Sequence, residues 1–474
     1  IFDQAKHDDF WEAGNNSDTT SEKERDLPFS RTGPNPYKEA GKFYRQVEND
    51  VYNTRQYVLA QLRQILTQTL SKDSQEHLIS VIEDVKHYFS VTEYDIWRFH
   101  KASGLHAWQE NEMKKLSDLI EHRIHTLQNP PDCESAKKIL CNFPVNLKAR
   151  GIGSQLHHLS YCFLAAYGTQ RMLIINRKSP NFNMDPYFLP FSETCINTSN
   201  KSDWPGTEDS PVVQFPDNDR PVPRQNYFPR SVPKDFAERL MNAHGDPFAW
   251  WMGQFFKYFM RMTGSFQAQV EKLKARIGYE NPIVGVQVRR TDKLLHDSRL
   301  IELEEYMEAV DDFFDDLELR GTNVTTRRIY LATDDPKVIQ EAKEKYPNYD
   351  IVCNEKSVAT ASLSLRRTEE NVRNFMADIY FLSRSDFLVC GMSSNIFGNG
   401  CCMLYGETSK PVGVLNTKLK LKKVLWRCLH NKIKQDILAL PFDSIVTDVV
   451  ARLSQTLFIS RYITIIPRRG SISQ

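Results

Sequence analysis

Residues 283–288, IVGVQV, form an unbroken apolar run rich in β-branched side chains. The run passes with no turn residue into Arg289, Arg290, Thr291, Asp292 and Lys293. Such a run predicts a buried strand. Three cations at the end of a buried strand are costly unless something anionic meets them. In an open α/β sheet, ligands bind outside the carboxyl ends of the strands. The pattern therefore points to a site for a phosphorylated ligand, for which planar, permanently charged arginine is suited. A surface ion-pair cluster is the ordinary reading of an Arg-Arg dipeptide. Its position directly after the strand argues against that here.

The surrounding pattern predicts an α/β chain. Three amphipathic helical segments come first. They carry Val58, Leu62, Ile65 and Leu66, then Leu78, Val81, Ile82, Val85 and Phe89, then Trp108, Met113, Leu116, Ile120, Ile124 and Leu127. The 3–4 spacing gives each an apolar stripe. Helices in succession without strands suit either a self-associating hairpin or packing onto the chain's own body. From about 134 helices and strands alternate. Helices are expected over 154–167, 237–254, 255–277, 303–317, 337–345 and 370–384, and strands over 172–175, 283–288, 328–332, 350–352 and 387–389. Residues 178–233, rich in Pro, Asn and Asp, read as loop. Alternation of this kind implies a parallel sheet with polar loops at one edge.

Those loops hold the candidate site: Arg289, Arg290, Asp292 and Lys293 after one strand, Asp334 and Asp335 after another, Ser393 and Ser394 after a third. Asp378 lies within the helix at 370–384. Charged and hydroxyl groups delivered to one edge by separate strands suit a nucleotide. No GxxxxGK[ST] occurs, and Gly151-x-Gly153 lacks the third glycine of a dinucleotide fingerprint. Asp335 before Pro336 is read as a helix start or a ligand hydrogen bond rather than a metal ligand.

The chain has 474 residues and a formal net charge of +1, so charge gives no case for nucleic acid. Nine cysteines occur without zinc spacing, and an odd total leaves one thiol unpaired or shared between chains. Cys133, Cys141, Cys162 and Cys195 admit three pairings. Sequons at Asn15, Asn197, Asn200 and Asn323, together with the cysteines, tilt toward a secretory compartment. Residues 1–36 are polar and charged and read as a flexible stem.

Several ordered motifs resemble one family. GSQLHH (153–158), YCFLAAYGTQR (161–171), HGDPFAWW (244–251), VGVQVRRTDK (284–293), YLATDDP (330–336), KYPNYD (345–350) and DFLVC (386–390) are similar to the eukaryotic α-1,6-fucosyltransferases. The resemblance runs from about residue 35 to about 395. It implies a GT-B-like fold with a Rossmann-type sheet at about 278–395, within a catalytic domain at 131–395. A helical dimerisation region at 37–130 precedes it, giving a homodimer. It implies inverting transfer of fucose from GDP-β-L-fucose to O6 of the asparagine-linked GlcNAc of N-glycans, with no metal or other cofactor. The setting implied is the Golgi lumen, behind an N-terminal membrane anchor that is not in this sequence.

Residue by residue, the resemblance makes Arg289 the ligand of the donor's β-phosphate and Arg290 its neighbour. Asp378 reads guanine, and Asp334, Asp335 and Ser394 line the donor pocket. Lys293 and Asp297 face the acceptor hydroxyl as the catalytic pair. It pairs Cys133 with Cys195 and Cys141 with Cys162. The departures are as specific. Asp297 stands where the family has glutamate, and Gln287 where it has histidine. Arg150 and Ser154 replace two cysteines, Phe397 replaces the partner of Cys390, and Asn395 replaces a glutamine. Residues 396–474 show no SH3 pattern and read as a divergent tail with a basic run at 418–427. The missing SH3 pattern motivates one alternative, a related fucosyltransferase acting on chitooligosaccharide or protein, and Asp297, Gln287 and the tail motivate another, a GDP-fucose-binding pseudoenzyme.

Overall fold

The computed structural model describes residues 37–142, 152–175, 178, 179, 182–195, 202–204, 206–216, 232–291, 300–362, 364, 365, 368–391 and 412–415. The stem at 1–36 and residues 418–474 lie outside the described residues. So do Asp292, Lys293, Asp297, Ser393, Ser394, Asn395, Phe397, Cys401 and Cys402.

Three long helices open the chain: α1 (Lys38–Leu66), α2 (Lys72–Ala102) and α3 (Leu105–Gln128). Ser71 caps α2 by accepting from the Ser74 N–H, a contact worth about 1 kcal/mol. The three apolar stripes meet different fates. On α3, Met113, Leu116, Ile120, Ile124 and Leu127 are buried in the main core. On α1 and α2 only Leu59 and Ile82 are buried apolar residues, while Tyr88 and Phe99 are 71% and 65% exposed. Polar contacts fix α1 to the body. Arg45 donates to the main-chain oxygens of Met241 and Asn242 at 2.6 and 2.5 Å. Arg55, only 6% exposed, pairs with Asp312 at 2.7 Å and with Glu93 of α2 at 3.5 Å.

The first sheet contains β1 (Lys138–Cys141), then, after helix α4 (Ile152–Gly168), β2 (Met172–Ile175). The segment expected to be loop supplies four short strands: β3 (Lys178–Ser179), β4 (Phe182–Asn183), β5 (Ser202–Asp203) and β6 (Val212–Gln214). The last two join β1 and β2 in one parallel sheet of order β2-β1-β6-β5. Both disulfides implied by the resemblance are present: Cys141–Cys162 ties β1 to α4, and Cys133–Cys195 joins the segment after α3 to the segment between β4 and β5.

Helices α5 (Lys234–Ala243), α6 (Pro247–Phe259) and α7 (Gly264–Ile277) follow. The breaks that the apolar periodicity hides are chemical: Asp246 and Thr263 cap new helices, each accepting from the N–H three residues on. Helix α6 is buried nearly all round. Its Trp251, Phe255, Tyr258 and Phe259 pack by rings on Phe163, Tyr167 and Phe191.

The second sheet carries the apolar run that ends in the arginine pair. Strand β7 (Ile283–Val288) is buried at every position. It is followed by α8 (Leu303–Leu319), β8 (Arg328–Thr333), α9 (Pro336–Lys345), β9 (Asp350–Val352), α10 (Glu355–Thr360), α11 (Glu369–Arg384), β10 (Phe387–Gly391) and β11 (Val412–Leu415). The order is β11-β10-β7-β8-β9, every pair parallel. By order of appearance from the β9 edge this reads third, second, first, fourth, fifth, which is the Rossmann order with its switch point between β7 and β10. Strand β11 lies in the stretch expected to be tail, so the sheet extends beyond residue 395. Gly285 permits the close approach of α11 to β7: a Cβ there would sit 2.7 Å from the Ser385 Oγ.

Candidate functional site

The carboxyl ends of β7 and β8 lie side by side, with Val288 paired to Thr333. The next residues of each strand therefore meet at the sheet edge. Asp334, 12% exposed at the side chain, accepts from the Arg290 N–H at 2.9 Å and the Thr291 N–H at 3.4 Å. The Thr291 hydroxyl donates to the same carboxylate. Asp334 thus fixes the backbone that leaves β7 and with it the origin of both arginine side chains. The Arg289 Nε stands 3.8 Å from Asp334, beyond hydrogen-bond length.

Arg290 takes a different course. Its Nη1 donates to Glu341 of α9 at 2.7 Å, and its Nη2 lies 3.8 Å from Glu302. Lys345 bridges Glu341 at 3.0 Å and Glu304 at 2.5 Å. Burial alone would raise the Glu341 carboxyl, but the hydrogen bonds from Lys345 and Arg290 outweigh it and hold the group below its ordinary value. The cluster Glu302, Glu304 and Glu341 has metal-ligand spacing, yet these two cations already occupy it. Sequence reasoning missed Glu341, because nothing local marks a contact across 51 positions of chain.

Asp335 accepts from the Lys337 N–H at 3.0 Å and caps α9, with Pro336 in the first turn. It is the helix start its sequence context suggests.

Gln287 lies at the switch point, registered between Ala332 of β8 and Cys390 of β10. It is 3% exposed, and its Oε1 has no hydrogen-bond partner among the described residues. A buried orphan acceptor costs roughly 1–3 kcal/mol unless a ligand donor reaches it.

Asp378 is placed apart from this edge. It is 8% exposed, between α11 and the sheet. Its Oδ1 accepts from the Tyr330 hydroxyl at 2.6 Å and its Oδ2 accepts from the Ser357 hydroxyl. Tyr330 precedes Thr333 by three residues, so its backbone lies about 10 Å below the strand ends. Burial pushes the Asp378 carboxyl up to about 6, against the pull of the hydrogen bonds from the Ser357 and Tyr330 hydroxyls. Tyr330 is driven well above its usual range by burial and by that carboxylate. The edge thus joins Arg289, Arg290 and Asp334, with Gln287 beneath them. Asp378 forms a separate buried knot. Lys293, Asp297 and Ser394 lie outside the described residues.

The family profile described as alpha-(1,6)-fucosyltransferase N- and catalytic domains matches residues 3–405. An alpha-(1,6)-fucosyltransferase of Drosophila melanogaster is 39% identical over 342 residues, covering 71% of this chain and 53% of the relative. One of Caenorhabditis elegans is 33% identical over 329 residues, covering 67% and 57%. The chain therefore spans little more than half the length of these relatives. Among solved structures, fucosyltransferase NodZ from Bradyrhizobium shares 12% identity at TM-score 0.34, over 58% of this chain and 94% of that one. POFUT1 in complex with GDP shares 12% at TM-score 0.37, over 60% and 100%. No residue role is carried over from either. By its profile match and its fly and nematode relatives, the chain belongs to the alpha-(1,6)-fucosyltransferase family.

Proposed function

We propose that the chain transfers fucose from GDP-β-L-fucose, with inversion, to O6 of the innermost asparagine-linked GlcNAc of N-glycans. The observation that carries the reading is the arginine pair at the switch point of a parallel sheet in a chain of this family. Displacement at the fucose anomeric carbon releases GDP, whose negative charge grows in the transition state. Preorganised cations at that position lower the barrier. Arg289 meets the pyrophosphate, and Asp334 holds the loop that aims it. Arg290, tied to Glu341, adds positive potential from behind.

The arginines take the electrostatic role that a divalent cation has elsewhere, so no metal enters the reading. Asp378, ionised above about pH 6, is the acceptor for guanine N–H donors. Lys293 and Asp297 are assigned to the acceptor side, with Asp297 taking the O6 proton as the glycosidic bond forms. Two disulfides suit an oxidising compartment, and the Golgi lumen is the proposed location. The exposed apolar side chains of α1 and α2 support a homodimer through that hairpin.

The test is incubation of the full chain with GDP-fucose and a GlcNAc-terminated biantennary N-glycopeptide, read by mass spectrometry. One fucose on the innermost GlcNAc is expected. Transfer only to a chitooligosaccharide would sink the acceptor assignment, and GDP binding without any transfer would favour a pseudoenzyme.

A further inference from the structure

We propose that Asn323 carries an N-linked glycan. The sequon Asn323-Val324-Thr325 sits in the short connection between α8 and β8. That connection is tied at both ends. The Thr322 N–H donates to the Leu317 carbonyl at 3.0 Å and the Gly321 N–H to the Glu318 carbonyl at 2.9 Å, closing the end of α8. Gly321 takes a positive φ of 86° there, which turns the chain outward at no Cβ cost. At the other end, Arg327 pairs with Asp315 at 2.7 Å and Glu318 at 3.0 Å. Between these clamps Asn323 and Thr325 are exposed, while Val324 is half-buried and packs on the second core cluster. The amide and the hydroxyl of the sequon thus face water while the residue between them anchors the loop.

Oligosaccharide is attached before folding is complete, so exposure decides whether the modified chain can still reach this fold. A bulky, hydrated glycan is compatible only with a surface position. Asn323 meets that requirement. It is also far from the chemistry. Helix α8 runs antiparallel to the strands, so its carboxyl end and the start of β8 lie at the edge of the sheet opposite Arg289 and Asp334. A glycan there leaves the donor crevice open. In the attachment, the Asn323 amide nitrogen bonds to the anomeric carbon of a lipid-pyrophosphate-linked oligosaccharide. The bond from that carbon to the pyrophosphate oxygen breaks, and the amide proton passes to base.

This rests on the lumenal setting proposed above, and the experiment separates the two. The full chain is secreted from insect cells behind a cleavable signal sequence. Its disulfides and the Asn323 peptide are mapped in the same sample, with glycans released enzymatically in heavy-oxygen water. Material with Cys133–Cys195 closed has passed through the lumen. In that material the Asn323 peptide should carry the isotope mark. Thr325→Ala and Asn323→Gln should each abolish it, with transfer activity unchanged. An unmodified Asn323 peptide in disulfide-closed protein overturns the proposal. Absence of fucosyl transfer in all three proteins would overturn the functional reading and leave the glycan result standing.

Discussion

The edge of the second sheet and the α1–α2 hairpin break the usual partition of polar and apolar residues in opposite directions. At the edge, charges are drawn in: Arg289, Arg290, Asp334 and Glu341 have side chains only 12–22% exposed. On the hairpin, apolar side chains are pushed out: Phe43, Tyr88 and Phe99 are 57%, 71% and 65% exposed. Buried charge costs desolvation, and exposed apolar surface forgoes its transfer free energy. Under the proposed function each region would be relieved by a partner of matching chemistry, an anion for the first and an apolar face for the second. A misplaced polarity names its missing partner more directly than the size of a cleft does.

The sharpest way to break this comparison is Arg289→Ala. Truncating one member of a buried charge pair at a binding surface costs about 2–5 kcal/mol. That corresponds to about thirty-fold to a few thousand-fold in GDP affinity, measured by calorimetry on the folded variant. Unchanged affinity would mean that the edge charges serve only one another, as Arg290, Glu341, Lys345 and Glu304 largely do. The edge would then be a structural knot and the contrast with the hairpin would fail.

What the sequence made legible follows the range of the forces involved. Strand β7 was readable because an unbroken β-branched run has few alternatives, and the edge followed from the charges that end it. Strand β6, Val212–Gln214, was not. Three residues among prolines and aspartates carry no periodicity, and the strand forms because β1, about seventy residues earlier, and β5 pair with it on either side. Strand β11 was missed for the same reason. The buried side of α11 was disguised. Asn371, Asn374 and Asp378 are polar yet only 6%, 6% and 8% exposed. The signal that inverts the reading lies elsewhere in the chain, in Tyr330 and Ser357. The hairpin stripes predicted helices correctly but not their partners, since α3 found the core with the same spacing that leaves α2 half-covered.

The hairpin half of the comparison is sharpened by Tyr88→Ser with Phe99→Ser. Both side chains are largely exposed, so each change should move stability by less than about 0.5 kcal/mol. If the exposed face pairs two copies, sedimentation should show a shift toward monomer with the melting temperature of the dissociated chain nearly constant. A melting temperature that drops sharply with no change in assembly would mean that these side chains pack within the chain, against the proposed homodimer.

Asp378 provides the finest test, because it combines features of both regions: a charge drawn in, but one answered by hydroxyls instead of cations. Its carboxyl is raised to about 6, first by burial, from an ordinary value near 4. The sign is settled by linkage. A raised folded value means that the unfolded chain releases this proton more readily, so the stability contributed by the protonated group is full below about pH 4 and is lost as pH rises through about 6. Under the proposed reading, donor recognition runs the other way, since only the ionised carboxylate would accept two guanine N–H groups. Between about pH 7 and about pH 5, GDP affinity should therefore fall severalfold, beyond what the nucleotide's own titration explains, while the contribution of Asp378 to folding stability rises. Asp378→Asn should flatten both trends, with lower affinity throughout. A binding profile in the wild-type chain that matches the Asp378→Asn chain would place guanine recognition elsewhere, with the orphan Oε1 of Gln287 at the switch point as the next group to vary.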